Sequence, residues 1–107
     1  MQERGFTERD WKIFRNKIAD WQESYMDRLG KEYIELLSED VNPSDKFWSL
    51  DKRIKEDKKK TGVQLEMHRS NLIYNIISLI KEGAISYVDL EEFSDELKET
   101  VRFFVER

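Results

Sequence analysis

The chain has 107 residues, with 19 basic and 23 acidic side chains, a net charge of −4 and no cysteine. That length suits one domain, residues 1–107, and buries roughly 65% of the unfolded surface without a metal or disulfide; the missing thiols exclude a disulfide framework, a zinc–thiolate site and a thiol nucleophile. The apolar share is 38%, unchanged when the four Tyr are exchanged for the four Gly, and the charged share is 39%, against about 45–50% and about 25% in an ordinary domain.

A core that thin belongs either to long amphipathic helices with one apolar stripe each, or to an oligomer that completes its core with a second chain. An aromatic content of 12% with three Trp sets the sequence apart from a disordered one. One Pro and four Gly are too few turn residues for an all-β domain. The most apolar stretch, Leu72 to Ile80, is nine residues long, and a membrane span needs about 20. Met1-Gln2-Glu3-Arg4-Gly5 leads into no apolar signal region. A cytoplasmic protein without a membrane contact is the expectation.

In chain order, Thr7 and Asp10 form a capping-box pattern and Phe6 is placed to staple onto Trp11. Trp11, Phe14, Ile18, Trp21 and Tyr25 then alternate by three and four, tracing one helix face. The stripe steps by fours through Leu29 and Tyr33 to Leu36, like a coiled-coil stutter, and Met26, Ile34 and Leu37 widen it. Gly30 costs about 1 kcal/mol relative to Ala inside a helix and marks a kink, a close crossing or a break. The reading adopted is one long helix over about residues 8–38.

Asn42-Pro43 opens a second helix, Asn as cap and Pro at the first position, running to about Lys59. Its apolar residues Phe47, Trp48, Leu50 and Ile54 all lie in the first half; Lys55 to Lys60 has nothing to bury, and Thr61-Gly62 ends it. Over the 27 residues 61–87 only Glu66, Arg69, Lys81 and Glu82 are charged. Leu65, Leu72, Ile73, Ile76, Ile77, Leu79 and Ile80 nearly encircle a helix over 64–82, with a narrow polar stripe of His68, Asn71, Asn75, Ser78 and Glu82. This predicts the central helix of the fold. Val63, Leu65 and Met67 alternate with period two, so an extended entry capped at Ser70, or a small strand pairing with Ile85 and Tyr87, is the alternative.

Gly83 closes the third helix, Ser86 and Asp89 make another capping box, and Ile85 is placed to staple onto Leu90. Leu90, Phe93, Leu97, Val101 and Phe104 share the face of a fourth helix, unless Ser94-Asp95 caps a fifth. The predicted fold is all-α, a bundle of four main helices or five, with a long N-terminal helix and an apolar central one.

Catalytic chemistry finds no support. His68 is the only histidine, and Glu66 two residues away lies on another helix face, so no metal-ligand pair of the Glu-x-x-His kind exists. Asp20, Glu23 and Asp27, or Glu32, Glu35 and Glu39, share faces only as exposed helix carboxylates do, without the burial that separates acid from base. The glycines at 5, 30, 62 and 83 form no phosphate loop. No catalytic, metal or cofactor-binding residue is assigned. A pocket near His68, Asn71 or Asn75 is what an enzyme would require.

Charge is more informative. Residues 46–60 hold seven basic and three acidic side chains, and residues 88–107 seven acidic and three basic. Lys52, Lys55 and Lys59 line one helix face; Asp89, Glu92, Glu96 and Glu99 line another. Either they are docking surfaces for different partners, or they are a dipolar but solvated exterior, one form of which has the two stripes facing each other within the fold. A helix-turn-helix drawn through 71–82 and 87 onward would press Asp89, Glu91 and Glu92 towards phosphates, which disfavours DNA binding there. Trp48, beside Phe47, is the aromatic expected to be exposed, and exposed Trp is enriched at binding hot spots. The leading expectation is a non-catalytic module that docks a protein partner or a second copy of itself. The alternative is a regulator of nucleic-acid machinery, using Lys52, Lys55, Lys58, Lys59 and Lys60 or the acidic fourth helix.

Overall fold

The structure is a computed structural model describing residues 5–107; Met1 to Arg4 lie outside the described residues. Among the described residues there are four α-helices and no strand. They are α1 (Glu8–Leu37), α2 (Pro43–Asp57), α3 (Leu72–Lys81) and α4 (Asp95–Val105), with single 3₁₀ turns at Arg69–Asn71 and Tyr87–Leu90.

Helix α1 is continuous for 30 residues, a rod of about 45 Å. Thr7 and Asp10 complete the capping box at its start, and Phe6 and Trp11 are both buried there. Gly30 does not break it. The rod sets the shape, which measures 56 × 23 × 22 Å with a radius of gyration of 16.6 Å; a chain of this length packed as a sphere has about 13 Å.

The elongation follows from how the other elements distribute along α1. Its first half supplies Trp11, Phe14 and Ile18 to a core completed by Leu72, Ile76 and Leu79 of α3, Ile85 and Leu90 around the second 3₁₀ turn, Phe93, and Leu97 and Val101 of α4. Aromatic contacts run along this seam, from Trp11 to Phe14 at 6.2 Å, Phe14 to Trp21 at 6.1 Å and Trp21 to Phe93 at 6.3 Å. No residue of α2 belongs to that cluster. Helix α2 instead folds back along the second half of α1, and the two form a hairpin that extends beyond the core.

The third helix is shorter than its sequence predicts. Residues 64–68 are non-helical, and α3 starts only at Leu72 after the 3₁₀ turn. Distance explains this. The Thr61 carbonyl accepts from Gln22 Nε2 at 3.2 Å, and Arg69 pairs with Glu8 at 2.6 Å, so eight residues must travel back along α1 from position 22 to position 8. That is about 21 Å; eight helical residues cover about 12 Å and eight extended ones about 26 Å. The apolar run gives way to this span, and Asn75 Nδ2 holds the crossing by donating to the Glu66 carbonyl at 3.1 Å. No strand pairing forms. At the other end Gly83, with φ 79°, makes a Schellman cap: its N–H reaches the Ile80 carbonyl at 3.0 Å and that of Ala84 reaches Leu79 at 2.8 Å.

The fourth segment divides at Ser94. The Ser86–Asp89 capping box closes only the 3₁₀ turn, and α4 begins afresh with the Ser94 hydroxyl accepting from the Leu97 N–H at 3.2 Å. Phe104, expected on the packing face, is 48% exposed, because the divided segment turns Leu97 and Val101 inward and leaves the last turn beyond the core. Asp10 binds the two helix starts together. Its fully buried carboxylate accepts from Thr7 N–H at 2.9 Å, Ser94 N–H at 2.8 Å and Ser94 Oγ at 2.6 Å. Burial alone raises a carboxyl pKa, but the hydrogen bonds from Ser94 and Thr7 outweigh it and hold Asp10 below the usual range.

Candidate interaction surface

The hairpin is held by polar groups where the core is held by apolar ones. Tyr25 and Leu29 of α1 are buried, but the buried residue of α2 is Asp57. The second half of α2 therefore does bury a side chain, contrary to its highly charged sequence. Tyr33 Oη donates to Asp57 Oδ2 at 2.5 Å, Arg53 Nε lies 3.1 Å from the same oxygen, and the Arg53 guanidinium also pairs with Glu32. Burial, then the hydrogen bond to Asp57, push the Tyr33 hydroxyl up to about 12. At the hairpin's base, Glu82 grips the turn after α2, accepting from Thr61 N–H at 2.9 Å and Gly62 N–H at 3.0 Å. Gly62 lies so close to the Tyr25 ring that an added Cβ would stand 2.4 Å from it.

The hairpin has two unlike broad faces. One is an open polar groove of about 320 Å³, lined by Arg28, Glu32, Arg53, Glu56, Lys60 and Glu82 among others. The other is apolar: Met26, Leu29, Tyr33, Ile54 and Val63 line a depression of about 210 Å³. Helical spacing continues this second face to the tip through Gly30, Ile34 and Leu37 of α1 and Phe47 of α2. Ile34 is 65% exposed and Phe47 63%.

The predicted residues of α2 fall on a third, outward side, away from α1. Trp48, Lys52, Lys55 and Lys59 are spaced by four, three and four; the first three share one side of α2 and Lys59 follows in the turn beyond it. Trp48 is 64% exposed, and its ring meets Phe47 edge-on at 4.9 Å, joining the outward side to the apolar face. Lys55 pairs with Asp51 at 2.9 Å; Lys52, Lys58, Lys59 and Lys60 make no ion pair among the described residues.

The acidic residues are not one stripe. Asp89 lies in the 3₁₀ turn and accepts from Ser86 N–H at 2.8 Å, and Glu92, just before α4, pairs with Lys17 at 2.7 Å. The Lys17 hydrogen bond and charge lower the Glu92 pKa. Glu96 accepts from Gly5 N–H at 3.2 Å, and of the four only Glu99 has no polar partner among the described residues. No ion pair among the described residues joins α2 to α4, so the two charged segments do not face each other. The helix-turn-helix drawing also fails, since its second helix is a single 3₁₀ turn.

Trp11 is buried and Trp21 half-buried against the core. His68 is exposed beside Glu66 at 3.7 Å, and the Asn75 amide donates to the Glu66 carbonyl at 3.1 Å. Among the described residues no three carboxylates or imidazoles converge to hold a metal ion, and no helix is long and apolar enough to cross a membrane. The apolar face went unremarked as a face in the sequence, although Met26, Gly30, Tyr33 and Leu37 recur by four, three and four beside the Leu29–Leu36 stripe. That doubled stripe is wider than one partner helix covers. Set against known protein families, curated proteins and solved structures, the chain matches none of them.

Proposed function

We propose that this protein is a non-catalytic interaction module, acting in the cytoplasm, whose α1–α2 hairpin docks a protein partner or a second copy of the chain. The observation that carries this reading is a group of exposed large apolar side chains gathered at the hairpin tip, while Met67, Tyr74, Val88, Phe103 and Phe104 are exposed elsewhere on the chain. Ile34, Leu37, Val41, Phe47 and Trp48 are all at least 43% exposed and all belong to the hairpin tip. Scattered apolar residues are ordinary on a surface, whereas a contiguous group rimmed by charge marks an interaction site. Trp48 serves as the anchor, with Lys52, Lys55 and Lys59 giving orientation and favouring an acidic partner.

The test is affinity capture from lysate of the source cell after nuclease treatment, comparing the native chain with a Trp48→Ala, Lys52→Glu, Lys55→Glu variant. A protein recovered by the native chain and lost by the folded variant supports the reading. Identical recoveries, together with no self-association, overturn it.

The unpaired lysines favour a second reading, a regulator that touches nucleic acid through Lys52, Lys58, Lys59 and Lys60. Phosphate contact by these groups would be strongly salt-dependent. Absence of retention on heparin at low salt removes it.

A further inference from the structure

The hairpin's apolar face has a property that selects among partners: its two edges carry opposite charge. Residues 20–40, the α1 arm with its following turn, hold seven acidic and two basic side chains, while residues 46–60, the α2 arm, hold three acidic and seven basic. By helical spacing Glu23 and Asp27 border Met26 and Ile34 on the α1 edge, Asp27 paired with Lys31 at 3.1 Å. Lys58 lines the apolar depression on the α2 edge, and Lys55, paired with Asp51 at 2.9 Å, stands between that edge and the outward side. A twofold rotation about an axis along the hairpin brings the acidic α1 edge of one copy over the basic α2 edge of the other, and does so twice. A face with this pattern is self-complementary, as an isologous interface must be.

Gly30 adds a second observation. It lies in the Met26, Gly30, Tyr33, Leu37 row, midway along the apolar face, and a Cβ built there meets nothing within 4 Å. No contact inside the chain calls for glycine at this position, and its φ is not positive. Glycine costs about 1 kcal/mol relative to alanine in a helix interior. A bare backbone at the middle of an apolar face lets another helix approach closely.

We infer that the apolar face of the α1–α2 hairpin is the seat of a second copy of this chain, two hairpins packing face to face into a four-helix bundle with α1 of each over α2 of the other. This rests on the interaction-module reading and names its partner. The pairing covers Met26, Tyr33, Ile34, Leu37, Phe47 and Ile54. It leaves Trp48 and Lys52 on the outward side, available to another molecule. With 15 residues in α2, the face is about 22 Å long and, for two helices, about 20 Å wide. That footprint, about 440 Å², is roughly half the ~800 Å² per partner of a standard interface and belongs to weak, reversible association. Association is therefore read over a concentration series.

Sedimentation equilibrium of the full chain tests it. The native protein is expected to move from 13.0 kDa towards twice that mass as concentration rises. Gly30→Arg fits the single chain, because the position is open, and should raise the dissociation constant about tenfold or more with an unfolding midpoint no lower than the native one. Should that variant lose its fold, Ile34→Glu, at a 65% exposed position, serves in its place with the same expectation. A charge exchange checks the register. Glu23→Lys with Asp27→Lys, and separately Lys55→Glu with Lys58→Glu, should each weaken self-association, and mixing the two should restore it. A native chain that stays at 13.0 kDa throughout overturns the inference while the capture experiment still decides the broader reading. A dimer indifferent to both face variants overturns it as well, by placing the contact elsewhere.

Discussion

The two ends of α1 pass through very different surroundings. Over its first half the helix is covered by α3, α4 and the 3₁₀ turn at Tyr87–Leu90, so Phe14, Leu72, Ile76, Leu79, Leu97 and Val101 are all fully buried. Over its second half α2 is the one helix that covers it, with the turn at Gly62 and Val63 closing on Tyr25 and Leu29 at the base, and a single helix neighbour buries only one stripe of a helix. What remains is Leu29 and Tyr25 inside, a Tyr33–Asp57–Arg53–Glu32 network at the seam, and a row of apolar residues with nothing over them. Packing holds one end; hydrogen bonds hold the other. The charged pair at the hairpin seam also sets its alignment, because Asp57 must meet Tyr33 whatever the apolar residues do.

Breaking the core should have the largest effect. Phe14→Ala empties the middle of the aromatic seam and is expected to cost about 3–5 kcal/mol, lowering the denaturant midpoint of the whole chain in a single transition. Asp57→Ala acts on the hairpin alone. It leaves the Tyr33 hydroxyl and the Arg53 guanidinium without their shared acceptor, at a cost of about 1–3 kcal/mol. Hydrogen exchange should quicken in α2 and in the second half of α1 while α3 and α4 stay protected. Equal loss of protection everywhere would mean that the two ends unfold as one.

Opposite limits of pH sharpen the same contrast. The depressed Asp10 pKa means the unfolded state binds its proton more readily, so the stability from this carboxylate is complete above about pH 4 and lost as pH falls through the lower folded value. Acid should therefore loosen the junction of α1 and α4, and Asp10→Asn should blunt that acid dependence in a thermal scan. Tyr33 works in the other direction. Its hydroxyl ionises near 12 when folded and near 10 when unfolded, so its contribution is complete below about pH 10 and lost as pH rises towards 12. Tyrosinate absorbance of the native chain against Tyr33→Phe should show one late-titrating group. The smallest effect belongs to Trp48→Ala, expected to change stability by less than about 0.5 kcal/mol, since its ring is 64% exposed. A larger loss in concentrated protein than in dilute would show that the ring is covered by association.

Much of this architecture was legible because helix punctuation is local. Thr7 with Asp10, Asn42 with Pro43, Ser86 with Asp89, Ser94 and Gly83 each act within a few residues, and each marks an element boundary. Trp48 is exposed as expected, but Phe47 beside it is equally exposed and Tyr74 more so, so competition for one buried face is not the reason. Less visible were the late start of α3, the burial of Asp57, the dispersal of Asp89, Glu92 and Glu96 among separate contacts, and the exposure of Phe104. All four depend on what lies across from a residue, and periodicity reports only the residue's own helix.

The sequence by itself determined that this protein is helical, with four main helices or five, and where the first two begin and end, because capping and amphipathic spacing are satisfied within one segment. Only the tertiary structure decided which apolar stripes are covered. Cover is a property of two elements at once: the span from Gln22 back to Glu8 drew residues 64–68 out of the helix into a crossing, placed α3 and α4 on the first half of α1, and left α2 as the one helix along the second half.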